Sequence, residues 1–247
     1  KIVLFDRMTS KVRLYFSEKL ASGIVSKLSE NQSHYIKNVI RLNHGDKISL
    51  FNSNNGEWDA TILGHTKNFT ELRIEKQSRP SVNENNIWLA FSPIKKIPQD
   101  FMLQKITELG IKKFIPILCE RTVVRDINVK RAKKIVIEAS EQSNRISIPD
   151  ILEIQSLDNF LKNFPKNGKL IFCDINSKSK DIKKDFVPSK YPICILVGPE
   201  GDFSEKERQS IVDQKKTIPL SLAKNILRAE TAAIAATTIV SFQLNFK

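Results

Sequence analysis

The feature that most constrains this chain is a set of short runs that are apolar or nearly so from end to end. They are IWLAF (87–91), FIPIL (114–118), KLIFCD (169–174), ICILVG (193–198) and TIPL (217–220). A strand with one wet face alternates polar and apolar residues, whereas a strand apolar throughout is buried on both faces. Between these runs lie segments of helical spacing at 99–109, 129–142, 157–164, 205–213 and about 227–242. Strands alternating with helices predict an α/β domain whose mostly parallel sheet is covered on both sides.

The opening of the chain has a different texture. VRLYF (12–16), DKISLFN (46–52), GEWDATILG (56–64) and TELRIEK (70–76) are short apolar or alternating runs, and Asn54-Asn55-Gly56 supplies a hairpin turn. One basic helix is expected at 31–40, with Tyr35, Ile36, Val39 and Ile40 on a shared face. Antiparallel strands around a short helix predict a small β-barrel. QSRPSVNENN (77–86) is polar, contains proline and lacks periodicity, so it reads as a linker. The expected domains are therefore 1–78 and 79–247, which suits a chain of 247 residues.

Forty Lys and Arg against 27 Asp and Glu give a formal charge of +13, which points to an anionic partner, nucleic acid ahead of membrane. Cys119, Cys173 and Cys194 are an odd number in apolar surroundings and lack CxxC spacing, so they read as free thiols in a reducing compartment. His34, His44 and His65 are too scattered for a histidine metal motif. The most apolar long stretch, 231–242, is too short and too rich in threonine to span a bilayer, and KIVLFDRM at the start lacks a signal-peptide pattern. These features predict a cytoplasmic protein with neither membrane nor metal partner.

The dinucleotide-binding GxGxxG after the first apolar strand is missing, as are GxxxxGK[ST], HExxH and GxSxG. The clearest positive signal is ICILVGPEGDFSEKE (193–207). There an apolar strand ends in a Gly-Pro-Glu-Gly turn, and Ser204 and Glu207 form a capping box for the next helix. Ligands of open α/β sheets bind beyond the carboxyl ends of strands, and glycine lets backbone approach them closely. An ordinary strand–turn–helix junction would have the same local pattern.

Two further stretches carry chemistry. In LSLAKNILRAETAAIAATTIV (220–240), a helix starting near Ile226 puts Arg228 in its first turn, where the helix dipole disfavours a cation. Arg228 then either faces solvent or holds an anion and stabilises developing negative charge. Glu230 suits the same field, and Ala232, Ala233, Ala235 and Ala236 make a slim face for the sheet or a second subunit. The region 105–145 is densely basic. Arg121 and Arg125 follow a strand end, while Glu138, Glu141, Gln142 and Arg145 can share one helix face.

Taken together, HYIKNVIR (34–41), KITELG (105–110), ERTV (120–123), EASEQSNR (138–145), GPEG (198–201) and ILRAETA (226–232) resemble a known family. It is the SPOUT-superfamily ribosomal RNA methyltransferases acting on N3 of a uridine in 16S rRNA, the RsmE family, and the resemblance runs nearly end to end. It implies an N-terminal PUA-like barrel that helps bind RNA and a C-terminal SPOUT domain with a deep trefoil knot. It also implies a homodimer, S-adenosylmethionine as methyl donor, and a small ribosomal subunit as substrate.

Carried onto this sequence, the resemblance puts the cofactor against Cys173, Val197 and the turn Gly198, Pro199, Glu200 and Gly201. It adds Ile218, Leu220, Leu222, Ala223, Asn225, Ile226 and Leu227. Arg228 would stabilise the uridine anion left when N3 loses its proton, with Glu200 and Glu230 as candidate proton acceptors. Arg13, His34, Arg41, Arg121, Arg125 and Arg145 would contact RNA. The chain departs from the family pattern at Asp202 and Ala223, where glycine is usual, and at Asn225, where arginine is frequent. A need for positive φ at position 223 would cost alanine on the order of 1 kcal/mol. A related enzyme acting on another base or a ribose 2′-oxygen of rRNA or tRNA, or a non-enzymatic RNA-binding protein, would share parts of this pattern.

Overall fold

The structure is a computed structural model that describes residues 12–177 and 190–245. The segment KIVLFDRM and most of the polar stretch 176–185 lie outside the described residues. The chain divides into two compact units between Asn83 and Glu84.

The first unit is a bent five-stranded sheet of β1 (Arg13–Tyr15), β2 (Val25–Lys27), β3 (Lys47–Asn52), β4 (Gly56–His65) and β5 (Thr70–Arg79), in the order β1-β3-β4-β5-β2. The Asn52 side chain accepts from the Asn54 and Asn55 amides at 3.1 and 2.7 Å, which folds the β3–β4 hairpin where the sequence places it. Register shifts between β4 and β5 bend the pair, and Leu14, Ile48, Leu50, Ile62, Leu72 and Ile74 fill the concave side. Strand β5 runs three residues into the expected linker, because Gln77 and Arg79 pair with Trp58 and Glu57.

The helix of this unit differs from its expectation. Ser29 and Gln32 form a capping box at the start of α1 (Glu30–His34), and the chain then widens into a π-helical turn over Tyr35–Ile40. The wider turn breaks the 3.6-residue period. Ile36 is buried, whereas Tyr35, Val39 and Ile40 are exposed.

The second unit is a parallel sheet of β6 (Ile87–Phe91), β7 (Lys113–Leu118), β8 (Asp150–Ile151), β9 (Gln155–Ser156), β10 (Lys169–Cys173), β11 (Ile193–Val197) and β12 (Thr217–Leu220). Its order is β12-β10-β11-β6-β7-β8, with β9 also pairing with β7. The helices are α2 (Lys96–Glu108), α3 (Val129–Gln142), α4 (Leu157–Asn163), α5 (Glu205–Val212) and α6 (Ala229–Asn245). Alternate strand residues supply two cores, as runs apolar throughout require. Leu89, Phe91, Phe114, Ile171, Ile195 and Val197 meet α2, α3 and α6. Ile115, Ile117, Leu170, Phe172, Cys194 and Leu196 meet α4 and α5.

One open reading is decided here and one expectation changes. Ala233 and Ala236 are fully buried in the first of these cores, where α6 packs on α2 and β11, so the slim face serves the chain's own packing. Arg145 is also buried rather than on a surface face. Its guanidinium donates to the Thr107 and Ile111 carbonyls at 2.7 and 3.0 Å and to Ser147 at 2.7 Å, and pairs with Glu84. It thereby ties the last turn of α2 to the segment that leads into β7. Burial pulls its pKa below the ordinary arginine value against the opposing pull of Glu84.

Candidate functional site

Because β12, β10, β11, β6 and β7 are parallel, their carboxyl ends share one edge of the sheet. The segments leaving that edge are 92–95, 119–125, 174–177, 198–204 and 221–228. They carry most of the expected chemistry.

The turn after β11 is shaped by what glycine lacks. A Cβ on Gly198 would lie 2.4 Å from the Phe203 ring, which is itself held edge-on to Phe172 with centroids 5.3 Å apart. A Cβ on Gly201 would come within 3.2 Å of the Arg121 Cβ. Either side chain would have to displace a packed neighbour. Pro199 and Val197 are buried, while Glu200 and Gly201 are exposed.

Three ties hold this turn. Arg121 Nη1 donates to the Gly201 carbonyl at 3.1 Å. Glu207 accepts from the Ser204 amide in the capping box of α5 and from the Glu120 amide at 2.7 Å, joining the turn to the end of β7. Arg208 pairs with Asp202, at 2.9 Å, and with Asp174 just beyond β10. Burial alone would raise the Asp174 carboxyl. Hydrogen bonds from Arg208, the Ser177 hydroxyl and the Asn176 amide, with the Arg208 charge, outweigh burial and hold it below the usual value.

Next to the turn, the Ser92 amide donates to Val197 O at 3.2 Å and its hydroxyl to Cys119 Sγ at 3.2 Å. The Cys119 amide donates to Thr122 Oγ1 at 2.8 Å. Burial pushes the Cys119 thiol up to about 11, against a hydrogen bond from Ser92, and the Cys173 thiol up to about 12. Burial raises Cys194 as well. All three are free and protonated at neutral pH, which makes them poor nucleophiles.

The third segment links β12 to α6. Leu220 is buried and its carbonyl accepts from the Asp174 amide at 3.0 Å, which joins the ends of β12 and β10. Ile218, Leu222 and Leu227 are half-buried, Ala223 and Asn225 are exposed, and Ile226 is 86% exposed. No backbone group from Leu222 to Leu227 finds a partner among the described residues. Helix α6 starts at Ala229, and the Arg228 carbonyl accepts the Ala232 amide at 2.9 Å, so Arg228 flanks the helix rather than lying in its first turn. Its side chain is exposed and has no carboxylate partner among the described residues, and Glu230 is half-buried in the first turn.

The two departures from glycine resolve differently. Among the described residues the non-glycine positions at positive φ are Arg41, Asn144 and Asp202. Ala223 therefore carries no left-handed strain. Asp202 does adopt φ 60°, a conformation its short polar side chain tolerates, and its carboxylate accepts from the Phe203 amide at 2.8 Å.

The expected RNA contacts separate in the same way. His34 and Arg41 are exposed in the first unit, and Arg125 is exposed in the second. Arg121 is exposed but commits one nitrogen to Gly201. Arg13 is committed to the fold. It lies over the Phe51 ring at 4.2 Å and makes a two-pronged pair with Glu57, which Arg79 also engages. Arg208 and Asp174 were not singled out from sequence, since neither belongs to a local motif and their pairing crosses between strand ends. Among the described residues no three His, Cys, Asp or Glu side chains come together as metal ligands, and no helix is long and apolar enough to cross a membrane.

A family profile described as RNA methyltransferase domain matches residues 81–241, and one described as RNA methyltransferase PUA domain matches 28–75. The ribosomal RNA small subunit methyltransferase E of Rickettsia conorii is 34% identical over 227 residues, 91% of this chain and 92% of that protein. A crystal structure of ribosomal RNA small subunit methyltransferase E from Neisseria gonorrhoeae, bound to S-adenosyl methionine, is 32% identical. It has a TM-score of 0.86 and spans 96% of this chain and 100% of that one. A methyltransferase from Legionella pneumophila, solved with the cofactor SAM, is 29% identical with a TM-score of 0.82, over 93% of this chain and 96% of that one. With a PUA-like first unit, a SPOUT-like second unit and relatives matching nearly end to end, this chain belongs to the ribosomal RNA small subunit methyltransferase E family of the SPOUT superfamily.

Proposed function

We propose that this protein transfers a methyl group from S-adenosylmethionine to N3 of a uridine in the 16S rRNA of the small ribosomal subunit. The observation that carries the reading is an exposed arginine, Arg228, held without a carboxylate partner among the described residues. It lies at the positive end of α6, in one of the segments that leave the carboxyl edge of the sheet. A cation is disfavoured there unless an anion offsets the helix dipole.

The residues present suit the methyl donor. Gly198 and Gly201 keep two positions of the turn free of side chains, and the amides and carbonyls of 222–227, unpaired among the described residues, are groups with which a heteroaromatic ring can hydrogen-bond. Val197, Pro199, Ile218, Leu220 and Leu222 supply an apolar surround, with Cys173 at the end of β10. When bound, S-adenosylmethionine supplies an electrophilic methyl group on a sulfonium. Arg228 offsets the charge that spreads onto O2 and O4 of uridine as N3 loses its proton. Glu200, in the turn after β11, and Glu230, in the first turn of α6, are the candidate acceptors, directly or through water. The protonated thiols take no part.

The reading extends to a deep trefoil knot, supported by the return of the chain from edge strand β12 to α6 on β11. It extends also to a cytoplasmic homodimer. His34, Arg41 and Arg125 would contact RNA phosphates. Cofactor binding needs no divalent ion in this reading. Calorimetric titration of chelator-treated protein should give a single S-adenosylmethionine site, and affinity that returns only with an added divalent ion would refute it. Nucleoside mass spectrometry of rRNA from cells lacking and regaining the protein should show 3-methyluridine lost and restored. Loss of a different methylated nucleoside would assign the reaction to another base or to the ribose.

A further inference from the structure

We infer that Arg208 is a positioning residue for the methyl-donor site, acting as a bridge that holds the segments after β10 and β11 together. The inference rests on the proposed cofactor reading and names a part of that site which no sequence motif marks.

The argument starts from the charges. Asp174 follows β10, Asp202 belongs to the turn after β11, and one guanidinium engages both. The Arg208 and Asp174 side chains are only 15% and 6% exposed, whereas that of Asp202 is 51% exposed. Two carboxylates that share one cation repel each other once the cation is gone, most strongly where solvent is excluded. The guanidinium is also located by packing. The Arg208 guanidinium carbon lies 5.8 Å from the centroid of Phe172, the ring that holds Phe203, which in turn fills the space beside Gly198. Removing Arg208 therefore frees the Asp202 backbone from its left-handed conformation and drives the two strand-end segments apart.

Asp202 at φ 60° takes a conformation that glycine adopts without a Cβ penalty. The ion pair to Arg208 offsets that penalty, so the aspartate and the arginine work as a unit. Arg121 and Glu207 tie the turn to the end of β7, whereas Arg208 supplies the ion pair that, among the described residues, ties it to Asp174 after β10.

The test is a double-mutant cycle on the full chain, read by calorimetric titration with S-adenosylmethionine and by steady-state kinetics. Arg208→Ala should raise the dissociation constant and the KM for S-adenosylmethionine by about 10-fold or more, with kcat changed less than about 3-fold. Arg208→Lys should recover part of the loss. In an Asp202→Gly background, which lacks one repelling carboxylate and any left-handed strain, Arg208→Ala should cost markedly less. The defect of the single variant should shrink as salt rises, because repulsion reaching the half-exposed Asp202 is screened.

Binding of Arg208→Ala within 2-fold of the parent would overturn the inference. So would an equal cost in both backgrounds, or a parallel fall of kcat and affinity that follows the melting temperature. If Arg208→Ala does not fold, the uncharged Arg208→Gln takes its place in the cycle with the same criteria. Failure of the parent protein to bind S-adenosylmethionine would refute the cofactor reading instead. The bridge would then be judged by hydrogen exchange, since the Asp202 and Phe203 amides should exchange faster in the variant with no ligand present. Unchanged exchange would overturn the bridge as well.

Discussion

Arg228, Arg41 and Arg13 are similar in sequence, each a cation near apolar residues, and the structure separates their work. Arg228 faces solvent beside a helix start, Arg41 is exposed after the π-helical turn, and Arg13 is bound to Glu57 inside the first unit. Arg228→Ala should lower single-turnover methyl transfer by roughly 100-fold while both dissociation constants change far less, the pattern of a group that acts on developing charge. A normal rate once both ligands saturate the variant would remove Arg228 from the chemistry. Arg41→Ala, the control, should weaken RNA binding and lower the slope of log affinity against log salt by about one, with single-turnover rate retained at saturation. Glu57 carries a pH prediction. Burial would raise its carboxyl, but hydrogen bonds from Arg13 and Arg79 and their charges outweigh it, so its pKa is lowered in the folded state. A lowered folded pKa adds stability that is present above the unfolded value and is lost as pH falls through the folded value. Glu57→Gln should therefore cost on the order of 2 kcal/mol at neutral pH, and that cost should shrink below about pH 4 as the parent carboxylate protonates. A cost independent of pH would show that the charge is not what matters.

At the scale of elements, α6 illustrates how composition and packing divide. Its small residues suit close approach, and the approach turns out to be internal, with Ala233 and Ala236 against the sheet and α2. Ala233→Arg should destabilise the second unit by roughly 3 kcal/mol or more, through overpacking and an unpaired buried charge, and lower the melting midpoint by about 6 °C or more. A melting curve matching the parent would contradict this packing. The turn after β11 should respond differently at Gly201, which is exposed at the carboxyl edge of the sheet. Gly201→Val should abolish S-adenosylmethionine binding while far-UV circular dichroism stays close to that of the parent, since the branched side chain meets the Arg121 Cβ rather than the hydrophobic core. Retained affinity would place the cofactor elsewhere.

For the whole molecule, the excess of 13 positive charges supports long-range attraction to RNA, which falls steeply with salt. The proposed homodimer makes a separate demand. With Ala233 and Ala236 buried, the exposed side of α6, including Thr231, Thr238 and the 57% exposed Phe242, is the part of that helix left to meet a second copy. Light scattering at micromolar protein should report twice the 28.2 kDa chain mass, and Phe242→Glu should shift it toward one. A particle of single-chain mass for the parent would end the dimer proposal, and a dimer unchanged by Phe242→Glu would move the interface off α6.

Local physics made the second unit largely legible from sequence. Five apolar runs could be satisfied only as strands covered on both faces, and the Ser204–Glu207 capping box marked the start of α5 because its hydrogen bonds span three residues. The two-residue strands β8 and β9, and β2 in the first unit, were not legible, since runs so short carry no periodicity. The π-helical turn was also missed, because a single widened turn leaves the expected helical spacing intact in the letters while re-aiming Tyr35, Val39 and Ile40 outward. In the candidate site, the turn at 198–201 and Arg228 could be named from residue type and position along the chain. Only the tertiary structure decided that Arg13 and Arg145 are spent on Glu57, Glu84 and helix-end carbonyls, and that Arg208 joins Asp174 to Asp202. The physical reason is range. Covering a strand or capping a helix is settled among residues a few positions apart, whereas the partner of a charged side chain is set by which strand ends the sheet order brings together.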